Sequence, residues 1–95
     1  ATTVPTQALT MLNSAFLNDQ ARLFASRLEA FTKDNTEQLA EGLRLATSRN
    51  PSPEELAQAE EMMNELTKDL GLSHTMALQR FSLMLMNMNE FVYLD

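Results

Sequence analysis

The stretch "RNPSPEEL", residues 49–56, decides the fold. Ser52 has the short hydroxyl of a helix N-cap, and Pro53 suits the first helical position, where its missing N–H costs nothing. Glu55, three residues after Ser52, can reach back to the cap's own N–H. A helix therefore begins at residue 53. Beyond it, Leu56, Ala59, Met63, Leu66 and Leu70 recur at steps of three and four, one stripe of an α-helix, while Glu54, Glu60, Glu61 and Glu65 fall largely on the outer face. Gly71 followed by Leu72 supplies a left-handed C-terminal cap, so this helix is expected over 53–70.

Working outward towards the C-terminus, Ser73 or His74 opens a helix over 74–90. Ala77, Phe81, Met84, Met88 and Phe91 share its stripe, and Leu78, Leu85 and Val92 widen it to a face fit for burial between several neighbours. Towards the N-terminus, "KDNTEQ" (33–38) offers two capping boxes, Asp34 with Glu37 and Asn35 with Gln38. They start a helix over 36–48 with Leu39, Leu43 and Ala46 inward. Gly42 inside it costs up to about 1 kcal/mol relative to Ala unless a neighbouring helix approaches closely, so it marks a crossing point. Further back, Leu17, Ala21, Phe24, Leu28 and Phe31 form the stripe of a helix over 14–31, with Asn13 or Ser14 as its N-cap. Pro5, Val4, Ala8, Leu9 and Leu12 indicate a short helix over 5–12. The resulting expectation is an all-α fold: a compact bundle of four principal helices plus a short N-terminal one. Short connections make neighbours mostly antiparallel, and residues 1–95 form a single helical domain.

Composition agrees. The 95 residues are 44% hydrophobic with two Gly, three Pro and no Trp, which suits a packed helical protein rather than a disordered one. The lack of Cys excludes disulfides, thiolate zinc sites and covalent c-type haem attachment. A net charge of −6, with only seven scattered Lys and Arg, argues against nucleic acid as a partner. No apolar run approaches the roughly 20 residues of a membrane span, and no signal peptide is visible. The first residue is Ala1 rather than Met, which reads as a fragment or a processed chain.

Candidates for chemistry are few. Thioethers are soft ligands that select Cu(I), and "MLMNM" (84–88) alternates three of them. On a helix, however, Met84 and Met88 share a face while Met86 points about 200° away, so one helix cannot bring all three to one ion. Packing is the favoured role for these adaptable side chains. The alternative function is soft-metal binding by Met84 and Met88 joined by Met62, Met63 or Met76. His74, the one imidazole, lacks partners for a metal site or triad and reads as a solvent-facing or first-turn residue. None of Ser14, Ser26, Ser48, Ser52, Ser73 and Ser82 lies in a Gly-x-Ser-x-Gly setting. The carboxylates Glu54, Glu55, Glu60, Glu61, Glu65 and Asp69 read as a solvated face, with Glu54 and Glu55 also favoured at the positive helix N-terminus. Gly42 and Gly71 make no phosphate loop. No catalytic residue, metal ligand or cofactor is assigned. In an enzymatic alternative, Glu90 would lie buried beside Tyr93 in a pocket completed by an upstream domain.

Three stretches together carry a family resemblance: "TTVPTQALTMLNSAFLNDQA" (2–21), "SRNPSPEEL" (48–56) and "LMNMNEFVYLD" (85–95). Across nearly the whole chain the sequence resembles the C-terminal segment of a planctomycete-specific domain of unknown function, found in large multidomain proteins that often carry a cytochrome-c-like domain. It departs from the pattern at Ala15, where Pro is common, at Ser48, where Gly is usual, and at Met88, where a small polar residue is usual. The resemblance implies no catalytic residues. It implies an exported or cell-envelope protein whose upstream domains, or another protein, are the partners, with any haem attached elsewhere. Gln7, Asn13, Asn87, Asn89, Glu90 and Tyr93 belong to the motif. The amide and phenol groups among them suit bonds to backbone where the first helices meet the last, or an interface to an upstream domain.

Overall fold

The computed structural model describes residues 6–88, with side chains described from Ala15 onward. Four α-helices succeed one another in chain order: α1 Thr6–Phe31, α2 Asn35–Thr47, α3 Pro53–Asn64 and α4 His74–Met86, with a π-helical turn, Glu65–Asp69, continuing α3. The described residues contain no strand, and the fold is all-α as the stripes require.

Each of the last three helices starts on a side chain that accepts a backbone N–H. Ser52 Oγ takes the Glu55 N–H at 3.1 Å and Glu55 Oε1 takes the Ser52 N–H at 2.8 Å, completing the expected box. Ser73 Oγ takes the Met76 N–H at 3.1 Å. Of the two candidates in "KDNTEQ", Asp34 is the cap, accepting from Glu37 N at 2.9 Å, and Asn35 is the first residue of α2. The box is not reciprocal here, because Glu37 accepts the Thr32 hydroxyl at 3.0 Å while Thr32 Oγ1 accepts the Asp34 N–H at 3.2 Å.

Several boundaries differ from the sequence reading. The break expected at Asn13–Ser14 is absent: α1 runs unbroken for 26 residues, about 39 Å, and the short helix at 5–12 is its first turns. Cap chemistry at Asn13 and Ser14 does not stop a helix when neither Gly nor Pro interrupts it, since restarting would repeat the unfavourable nucleation step. At the end of α3, the Leu70 N–H bonds to Glu65 O at 3.1 Å, five residues back. The extra residue in that turn rotates the side chains beyond it by about 100°. Leu70 therefore leaves the stripe and is 69% exposed, whereas Ala59 and Met63 are buried and Leu56 and Leu66 pack against the core. Gly71, at φ 74°, then ends the element as expected, with the Leu72 N–H on Leu66 O at 3.0 Å.

The core centres on Phe81, Leu78 and Leu85 of α4, Leu28 of α1 and Leu39 of α2, all fully buried. Ala21 and Ala25 on α1 and Ala77 on α4 are also buried, and α1 and α4 make the most extensive contact in the molecule. Gly42 is the crossing point that its place in the helix implies. A Cβ there would lie 3.0 Å from Phe81 Cε2 and 3.2 Å from both Leu28 Cδ1 and Leu85 Cδ1. Phe31, expected inward, is 57% exposed at the last turn of α1, beside Glu37, Ala40 and Arg44 of α2. The last helix stops at Met86 rather than at residue 90, and Phe91 and Val92 lie outside the described residues.

Candidate functional site

Clefts flank α4 on two sides. The first is formed by Gln20, Leu23, Phe24 and Arg27 of α1, Leu45 of α2 and Met86 of α4, with a cavity volume of about 350 Å³. The second lies against α2, α3 and α4, where Leu43, Ala59, Met62, Phe81, Met84 and Met88 enclose about 430 Å³. Met84 and Met86 thus serve opposite flanks, as their spacing demands. Met88 stays in the second cleft because the chain makes one more tight turn after α4, with Asn87 N on Met84 O and Met88 N on Leu85 O, both at 3.1 Å.

The first cleft opens onto the outer face of α1, where Phe16 is 59% and Leu23 58% exposed, with Leu45 of α2 at 37%. Sequence reasoning missed this face. The signal was present: Phe16 and Leu23 stand seven residues apart, on one side of a helix, off the Leu17–Phe31 stripe.

A buried polar bridge was also missed. Gln38, 3% exposed, donates its Nε2 to Thr32 O at 2.8 Å, which leaves Oε1 as the acceptor for His74 Nε2 at 2.7 Å. That ring nitrogen therefore carries a proton. His74 is exposed and is the first residue of α4, as expected, and its bond ties that helix start to α2.

The acidic series is a solvated face in large part. Glu54, Glu61, Glu65 and Asp69 are exposed, and Glu60 accepts the Thr36 hydroxyl at 2.5 Å. Glu55 accepts both Arg49 nitrogens, at 2.9 and 2.8 Å, as well as the Ser52 N–H. The Arg49 hydrogen bonds first, and the Ser52 N–H second, lower its carboxyl from 4.5 to about 2. Such a group is an acceptor at neutral pH and not a proton donor. Among the described residues no group of three or more His, Cys, Asp or Glu is placed to hold a metal ion.

Of the motif residues, Asn87 caps α4 and donates its Nδ2 to Leu83 O at 2.8 Å. Gln7 and Asn13 lie in the first half of α1, where side chains are not described, and Asn89, Glu90 and Tyr93 lie outside the described residues. No helix among the described residues is long and apolar enough to cross a membrane.

No curated protein and no solved structure matches the chain. One family model does, over residues 1–63, which span α1, α2 and α3 as far as Met63. The matched part includes "TTVPTQALTMLNSAFLNDQA" and "SRNPSPEEL", while the ending "LMNMNEFVYLD" lies beyond it. With 63 of its 95 residues so matched, the chain belongs to PSD1, a family of proteins of unknown function also designated DUF1553.

Proposed function

We propose that this chain is a non-catalytic helical interaction module that packs on the rest of a larger multidomain protein through the outer face of α1. The observation that supports this reading is the apolar face of Phe16, Leu23 and Leu45, continuous with the cleft that Phe24 and Met86 line. Large apolar side chains left exposed together mark surfaces that another protein covers, and burying each of them would contribute about 1.5–3 kcal/mol. Arg27, on the rim of the cleft, gives this face a positive charge in an otherwise acidic chain.

The partner in this reading is the upstream part of the same polypeptide. The sequence resemblance to large planctomycete proteins that often carry a cytochrome-c-like domain supports it. The polar groups described above close helix ends and bridge helices, which is the work of a scaffold. The test is calorimetry with the upstream segment expressed separately. Association weakened by Leu23→Gln and Leu45→Gln is the expected result. No association, together with unchanged stability of the joined protein when this segment is deleted, defeats the proposal.

A further inference from the structure

The second cleft holds a feature that packing on an upstream domain does not use: three thioethers from two elements lining one cavity. Met84 and Met88 stand four residues apart on the same side of α4 and the turn after it, and Met62 faces them from α3. All three are half-buried, shielded by the core yet not sealed within it. The other methionines with described side chains are placed differently. Met63 is 3% exposed in the core, Met76 is 48% exposed about 12 Å along α4 from Met84, and Met86 serves the opposite cleft.

We propose that Met62, Met84 and Met88 form a thioether site for a soft monovalent cation, Cu(I) or Ag(I). Sulfur ligands of this kind bind soft cations and discriminate against hard ones, which need carboxylate, carbonyl or water oxygen. Among the described residues that line the cleft, the oxygen-bearing side chains are Gln58, a single neutral amide, and Glu55. The Glu55 carboxylate in its wall is engaged by Arg49 and by the Ser52 N–H. The imidazole of His74 is bound to Gln38 at the other end of α4. The chain has no thiol to draw the ion elsewhere. The single-helix objection to the alternating methionines does not apply, because Met62 replaces Met86 as the third ligand.

The test titrates the 95-residue chain anaerobically, with Ag(I) alone and with Cu(I) buffered by a chelator. The expected result is one ion per chain with a Kd below micromolar. Met62→Leu, Met84→Leu and Met88→Leu, which nearly conserve volume and so keep the fold, should each weaken binding at least about tenfold. Met76→Leu and Met86→Leu should leave it unchanged. X-ray absorption on the wild-type chain, which depends on no variant, should show a sulfur shell around the metal. Affinity no better than micromolar, equal losses in the Met76 and Met86 variants, or a nitrogen and oxygen shell would each overturn the proposal. The upstream segment takes no part, so failure here leaves the interaction reading standing.

Discussion

α2, α3 and α4 each begin on a side chain that accepts a backbone N–H, and together with Leu28 their large apolar residues fill the core. α1 is built differently. Among its described side chains the fully buried ones are Ala21, Ala25 and Leu28, two of them small, while Phe16, Leu23 and Phe31 are more than half exposed. The small Ala21 and Ala25 let α1 lie close on the bundle, while Leu28, with the half-buried Phe24 against the core, supplies its bulk. The difference teaches that the two faces of α1 are built differently. One face closes this bundle, and the other carries apolar side chains that the bundle leaves exposed.

That division can be broken by mutation. Phe81→Ala should remove the centre of the shared core and cost about 3–5 kcal/mol in urea unfolding. Gly42→Ala gains about 1 kcal/mol of helix propensity, yet its Cβ meets three fully buried side chains at 3.0 to 3.2 Å. Overpacking should win, for a net loss of about 1–2 kcal/mol by the same measurement. A smaller effect is expected at Glu55. Its folded carboxyl is depressed from 4.5 to about 2, so its contribution is fully present above pH 4.5 and is lost as pH falls towards 2. Acid titrations of wild type and Glu55→Gln should therefore converge across that window. Smallest of all, Leu23→Gln on the outer face of α1 should change stability by no more than about 0.5 kcal/mol. A loss there comparable to that of Phe81→Ala would show that both faces of α1 serve the bundle.

What the sequence disclosed was local. Ser52 with Glu55, Ser73, Asp34 and Gly71 act within a few residues of themselves, and each is readable from spacing alone. Gly42 is readable as an anomaly inside a good helix, though not which side chains fill its space. Ser48 stands out in the sequence only as a departure from a pattern that has Gly. Its φ of 61° places the C-terminal cap of α2 in the left-handed region, where Gly fits without strain. The rest depends on distance along the chain. Gln38 meets His74 across 36 residues, and Met62 joins Met84 and Met88 only because α3 and α4 pack together. No periodicity within one helix reports such meetings. The continuity of α1 was missed for the opposite reason: the cap signal at Asn13 and Ser14 is real chemistry without a breaker to enforce it.

The π-turn at Glu65–Asp69 bears on how the chain can change length. Within it the Thr67 hydroxyl adds a bond to Met63 O at 2.8 Å, and the turn leads into exposed residues and a glycine. One residue more than an α-helical turn is stored there, so deleting one is expected to convert the turn to ordinary α-helix without disturbing Leu56, Ala59 or Met63 upstream. Elsewhere in the helices, a deletion would rotate a whole buried stripe out of register. Single-residue gaps among relatives of this chain should therefore gather at this turn.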